Sequence, residues 1–159
     1  MAKRTLIAAV VVAIAAATVA FASAPRAPSG SFTLVATLDR HSMATVDAAP
    51  KGTSPGDVFV FSTSLRRDGH PDGRGEFVQT VVDSRYRGIS MRADLLLGDG
   101  ALELQGGGLS RRAPGAAKPS AQTDMAIVGG TGSYAGARGV VRLVPIGRAA
   151  QRLEVTLTD

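Results

Sequence analysis

From residue 31 to the end, this chain is divided into short apolar runs by glycine, aspartate and proline, and no helical periodicity persists between them. Eight runs rich in Val, Leu, Phe and Thr follow one another: SFTLVATLD (31–39), DVFVFSTSL (57–65), EFVQTVVD (76–83), ISMRADLLL (89–97), ALELQG (101–106), TDMAIVG (123–129), RGVVRLVP (138–145) and QRLEVTLTD (151–159). Asp-Gly pairs at 68–69, 72–73 and 99–100 are tight-turn signals, because Gly accepts positive φ and Asp bonds its own backbone. Several runs alternate, with Leu153, Val155 and Leu157 set against Arg152, Glu154 and Thr156. Others, such as DVFVFSTSL, carry apolar residues on both faces. The pattern predicts an all-β chain built from hairpins and closed into an eight-stranded antiparallel β-barrel over residues 31–159, with a β-sandwich as the alternative. Eight strands leave an interior that side chains fill or that holds one small ligand.

Ahead of the barrel stands a different kind of sequence. Lys3 and Arg4 precede an uninterrupted apolar stretch that ends in small residues, with Ala20-Phe21-Ala22 as an A-x-A cleavage pattern. Residues 1–22 are therefore expected to be a signal peptide, with an uncleaved anchor as the alternative, and residues 23–30 a Pro/Ser/Gly-rich linker. Either reading predicts a secreted or cell-envelope protein. The chain has no cysteine, so an exported domain of this size must be held by its core alone. Its formal charge of +5 falls once Lys3 and Arg4 are removed, and the arginines have no aromatic interleaving. No nucleic-acid partner is expected, and no membrane contact beyond the N-terminal segment.

AIVGGTGSYAGARG (126–139) admits two readings. As a dinucleotide fingerprint, Gly130-x-Gly132-x-x-Ala135 would need a helix directly afterwards to face the pyrophosphate, and then a strand carrying an acid. Gly136, Gly139, Val140, Val141 and Pro145 make a poor helix, and nothing upstream alternates strand with helix. The segment is better read as a glycine-rich loop between two strands, with Tyr134 and Arg138 as its large side chains. His41 and His70 have no partner at ligand spacing, and Ser64 and Ser133 lie in no nucleophile elbow. No metal and no cofactor is expected.

AIVGGTGSYAGARGVVRL resembles the segment near the C-terminal end of the allene oxide cyclase and dirigent barrel superfamily, where a GG-[ST]-G-x-[FY]-x-G pattern joins two strands. GDVFVFSTSLRRDG (56–69), LLLGDGALELQGG (95–107) and LDRHS (38–42) are similar to other motifs of that superfamily, in the same order. The resemblance implies an eight-stranded barrel, often a homotrimer, with an apolar pocket at one mouth that holds a small apolar or amphipathic molecule. It also implies that the pocket directs cyclisation, isomerisation or stereochemistry by containment. A carrier without chemistry and a purely structural barrel remain alternatives. Ala36 and Thr37 stand where the cyclases carry an Asn-Glu pair, and Gln79 lies near the place of a cyclase cysteine, so allene oxide cyclase activity itself is not expected.

The residues in matching motifs supply the candidates. Asp57 and Arg138 are the candidate catalytic pair, one a pocket carboxylate and the other a stabiliser of developing negative charge. A strand cap for Asp57 and a loop tie for Arg138 are the structural alternatives. Tyr134 is a candidate ligand contact at the barrel mouth. Glu103 and Gln105, which alternate with Leu102 and Leu104, are candidate ligand-binding groups if their face looks inward.

Overall fold

The computed structural model describes residues 28–52, 54–83, 88–109 and 123–158, with the side chain of residue 109 excepted. The expected signal segment and most of the linker lie outside the described residues. Eight strands follow in order: β1 (Gly30–Val46), β2 (Val58–Arg67), β3 (His70–Asp83), β4 (Gly88–Leu97), β5 (Gly100–Leu109), β6 (Thr123–Gly132), β7 (Arg138–Pro145) and β8 (Ala150–Thr158). Each pairs antiparallel with its sequence neighbour, and β1 pairs with β8, so the sheet closes into a barrel without a free edge.

Alternation decides which side chains fill it. In β4, Met91, Ala93, Leu95 and Leu97 are buried while Ser90, Arg92, Asp94 and Leu96 face out. The same phase brings Leu34, Leu65, Leu102, Met125, Val141, Leu153 and Val155 inward, all but inaccessible to solvent. They form one core in the half of the barrel where β1 begins and β8 ends, with Gly30 opposite Leu157.

Each of the eight expected runs coincides with a strand, and most strands extend beyond their run, β1 and β3 furthest. The β2–β3 hairpin turns on Asp68-Gly69 alone, with φ of 51° and 80°, whereas Asp72-Gly73 lies inside β3. Next to it Arg67 Nε lies 2.8 Å from Asp72 Oδ2, an ion pair between β2 and β3. β1 continues through the polar RHS segment by way of a bulge. Asp39 pairs with Ser62 and Ala44 with Val60, which leaves residues 40–43 opposite one residue of β2. There the Ser42 hydroxyl accepts from the Ser62 backbone N–H at 2.9 Å and donates to the Asp39 carbonyl at 2.7 Å.

Candidate functional site

An up-and-down barrel has two ends with alternate loops at each, and here the two ends differ. Beyond the packed core the interior opens into a cavity of about 770 Å³, within the range of small-molecule pockets. Its floor is made by Ala36, Thr63, Phe77 and Met91, each one inward step above a core residue or on the core's margin. Phe61 and Phe77 stack on one wall, with ring centroids 5.0 Å apart and planes within 4°. Further round the barrel, on β5, Gly107 and Gly108 line the cavity without side chains. The mouth lies at the end that carries the β1–β2 and β7–β8 connections, where Gly147, Arg148 and Ala149 line the rim.

Two of the three charged lining residues, Asp124 and Arg142, pair with each other, and Arg148 is the third. Arg142 donates to both carboxylate oxygens of Asp124, at 2.9 and 3.2 Å, and that hydrogen bonding holds the Asp124 carboxyl below its usual range. Asp124 is the single carboxylate among the described lining residues. The cavity thus has apolar surface and two aromatic rings, with Thr63, Gln79, Thr123, Arg148 and Gln151 as its other polar lining residues and no acid or base at its floor.

The glycine loop lies at the other end, which corrects the expectation that it sits by the mouth. Residues 133–137 join β6 to β7, and in a meander that connection shares an end with the β2–β3 and β4–β5 turns. The loop folds back through backbone bonds from Tyr134 N to Thr131 O and from Ala137 N to Tyr134 O. Gly130 makes this close return possible, since a Cβ there would stand 2.4 Å from the Tyr134 carbonyl oxygen.

Tyr134 is thereby driven inward, 4% exposed, with its ring 6.0 Å from Phe32. Arg67 Nη2 donates to its hydroxyl at 2.8 Å, and the hydroxyl donates to Asp99 Oδ2 at 3.2 Å. Arg67 also lies over the Phe32 ring, 4.4 Å from its centroid. Burial raises the Tyr134 pKa, so the phenol stays a proton donor. Tyr134 is a plug at the closed end and no lining residue of the cavity. Arg138 is exposed beside it and donates to the Ala137 carbonyl at 2.8 Å, which ties the loop.

Asp57 is buried in the β1–β2 connection, away from the cavity walls. Its carboxylate accepts from the backbone N–H of Ser54 at 2.8 Å and of Ala48 at 2.9 Å, and from the Ser54 hydroxyl at 3.1 Å. It is a loop cap. The Ser54 backbone bond is the main cause of its lowered pKa. A carboxyl whose folded pKa lies below the unfolded value of about 3.9 stabilises the fold above that pH, and the contribution fades as pH falls through the folded pKa. Asp57→Asn is therefore expected to be less stable than wild type at pH 7, with the gap narrowing by pH 3. Urea midpoints at the two pH values measure this, and a gap of constant size would mean that the carboxylate's charge is immaterial.

Glu103 and Gln105 are exposed on the outside of β5, because Leu102 and Leu104 take the inward phase. None of the five candidate residues lines the cavity. The residues that do were marked in the sequence by a subtler sign: Thr63 is a polar residue in phase with Phe61 and Leu65, and a run of three glycines (106–108) interrupts a strand.

The protein is thus a closed antiparallel meander of eight strands, packed at one end and hollow at the other. No protein-family model matches this chain, nor does any curated protein sequence. Solved structures do. A pyocyanin demethylase superposes with a TM-score of 0.67 at 24% identity, covering 81% of this chain and 100% of that one. A pterocarpan synthase dirigent protein superposes at 0.57 and 20% identity, covering 82% and 92%. The Diels-Alderase AbmU from Streptomyces koyangensis superposes at 0.61 and 17% identity, covering 81% of this chain and 64% of that one. These likenesses show a shared barrel fold.

Proposed function

We propose that this chain is an exported barrel that takes one small apolar or amphipathic molecule into its cavity and directs that molecule's cyclisation, isomerisation or stereochemistry. The observation that carries the reading is the cavity of about 770 Å³ with its apolar floor and stacked aromatic wall. A ring closure that is an isomerisation needs no reagent, since its bonding electrons rearrange within one molecule. What a protein contributes is a single folded conformation and the exclusion of water. The lining suits that role, because its one described carboxylate is held by Arg142. Fold neighbours include a pterocarpan synthase dirigent protein and Diels-Alderases beside the pyocyanin demethylase, and the first two support the cyclisation reading.

Titration with the neutral fluorophore N-phenyl-1-naphthylamine is expected to give saturable binding at one site per chain. Absence of saturable binding would remove the reading. Catalysis is distinguished from carriage by an achiral precursor that closes spontaneously to a racemate and displaces the fluorophore. The barrel in excess is expected to yield one enantiomer preferentially, and a racemic product would make it a carrier.

A further inference from the structure

Thr63 is the polar residue in the floor of the cavity, which is otherwise formed by Ala36, Phe77 and Met91. It is 7% exposed, and its Oγ1 is buried with no hydrogen-bond partner among the described residues. A buried hydroxyl without a partner is destabilising, and most buried side-chain polar atoms in folded proteins have one. Valine has the same shape and would fill this place without that cost. The hydroxyl points across the sheet to its strand partner Gly75, where a Cβ would stand 2.6 Å from it. Thr63 lines the cavity, and a threonine hydroxyl has other staggered positions available about χ1. Phe77, in the floor beside it, stacks on Phe61, and the pair offers an apolar aromatic surface to whatever reaches the floor.

We infer that Thr63 is an orienting residue for the occupant, and that the occupant is a largely apolar, ring-containing molecule bearing one hydroxyl or carbonyl oxygen that goes in first. The inference rests on the container reading proposed above. A ligand oxygen at the floor completes the hydrogen bonding of Thr63, while the ring system lies along the aromatic wall. A hydrocarbon of the same size gains the wall but leaves the hydroxyl without a partner. The floor thereby selects for an oxygen and fixes which end of the molecule lies deepest.

The test uses the full chain and two probes of matched size, 2-naphthol and 2-methylnaphthalene, each displacing N-phenyl-1-naphthylamine. The readout is the ratio of the two dissociation constants, so differences in the probes' hydration cancel between variants. Thr63→Val is expected to shift that ratio about three- to tenfold against 2-naphthol, the size of one neutral hydrogen bond, with 2-methylnaphthalene little changed. Thr63→Ser, which keeps the hydroxyl, is expected to restore the wild-type ratio. Thermal melting of Thr63→Val at or above the wild-type temperature certifies its fold. An unchanged ratio in Thr63→Val, or a ratio that Thr63→Ser does not restore, overturns the role of Thr63 and leaves the container standing. Failure of the fluorophore itself to bind any of the three proteins overturns the container, and this inference with it.

Discussion

Gly108→Phe is expected to abolish binding of a neutral fluorophore while leaving the barrel folded. Gly108 lines the cavity opposite Ile89 on β4, which lines it too, so the pair faces inward. A Cβ on Gly108 would meet no described residue within 4 Å. The same addition at Gly106 would meet Met125 Cγ at 2.9 Å, and at Gly107 the Ile89 carbonyl oxygen at 2.6 Å. Only at 108 does the run of three give onto open space. A phenyl group there occupies the volume intended for a ligand without forcing the backbone, and aromatic residues suit a strand. Affinity should fall by more than tenfold, with the melting temperature within a few degrees of wild type. Gly108→Ala should bind nearly as wild type does. Undiminished binding by a folded Gly108→Phe would place the fluorophore outside the cavity.

Tyr134→Ala is expected to bring the largest loss of stability of any single change at the closed end, about 3–5 kcal/mol, the range for deleting a buried aromatic ring. Tyr134→Phe keeps the ring against Phe32 and removes only the hydroxyl. Asp99 then loses a donor and Arg67 an acceptor, although Arg67 retains Asp72 at 2.8 Å, so the cost should be about 1–2 kcal/mol. Equilibrium urea unfolding separates the two. Equal losses in both variants would mean that the hydroxyl network, and not the ring, seals the barrel.

The barrel was legible because its cause is local. Val, Leu and Phe at every second position, with Asp-Gly at turns, state strand, face and hairpin without reference to distant residues. The candidate site was not legible, because its location depends on which end of the barrel is sealed. That in turn depends on where Tyr134 goes, and the sequence around it shows only a large residue among glycines. Once Gly130 allows the loop to return and Arg67 and Asp99 capture the phenol, the glycine motif belongs to the sealed end, and Tyr134 and Arg138 with it. Glu103 and Gln105 face outward for a simpler reason. The phase of β5 is set by Leu102 and Leu104, both buried, and an alternating strand has a single inward face. Asp57 illustrates a third limit, since a carboxylate beside a turn looks alike in sequence whether it serves a ligand or three nearby donors.

The pairing of β1 with β8 also fixes the handling of the molecule. Gly30 and Leu157 stand side by side at the end stoppered by Tyr134, and the mouth opens at the far end of the same strands. A linker, label or solid support joined at either of these strand ends therefore holds the barrel by its base, like a cup standing on a bench. Immobilised this way, the protein keeps its opening turned toward the solution, so a sensor surface or a flow reactor can be loaded and emptied without releasing it.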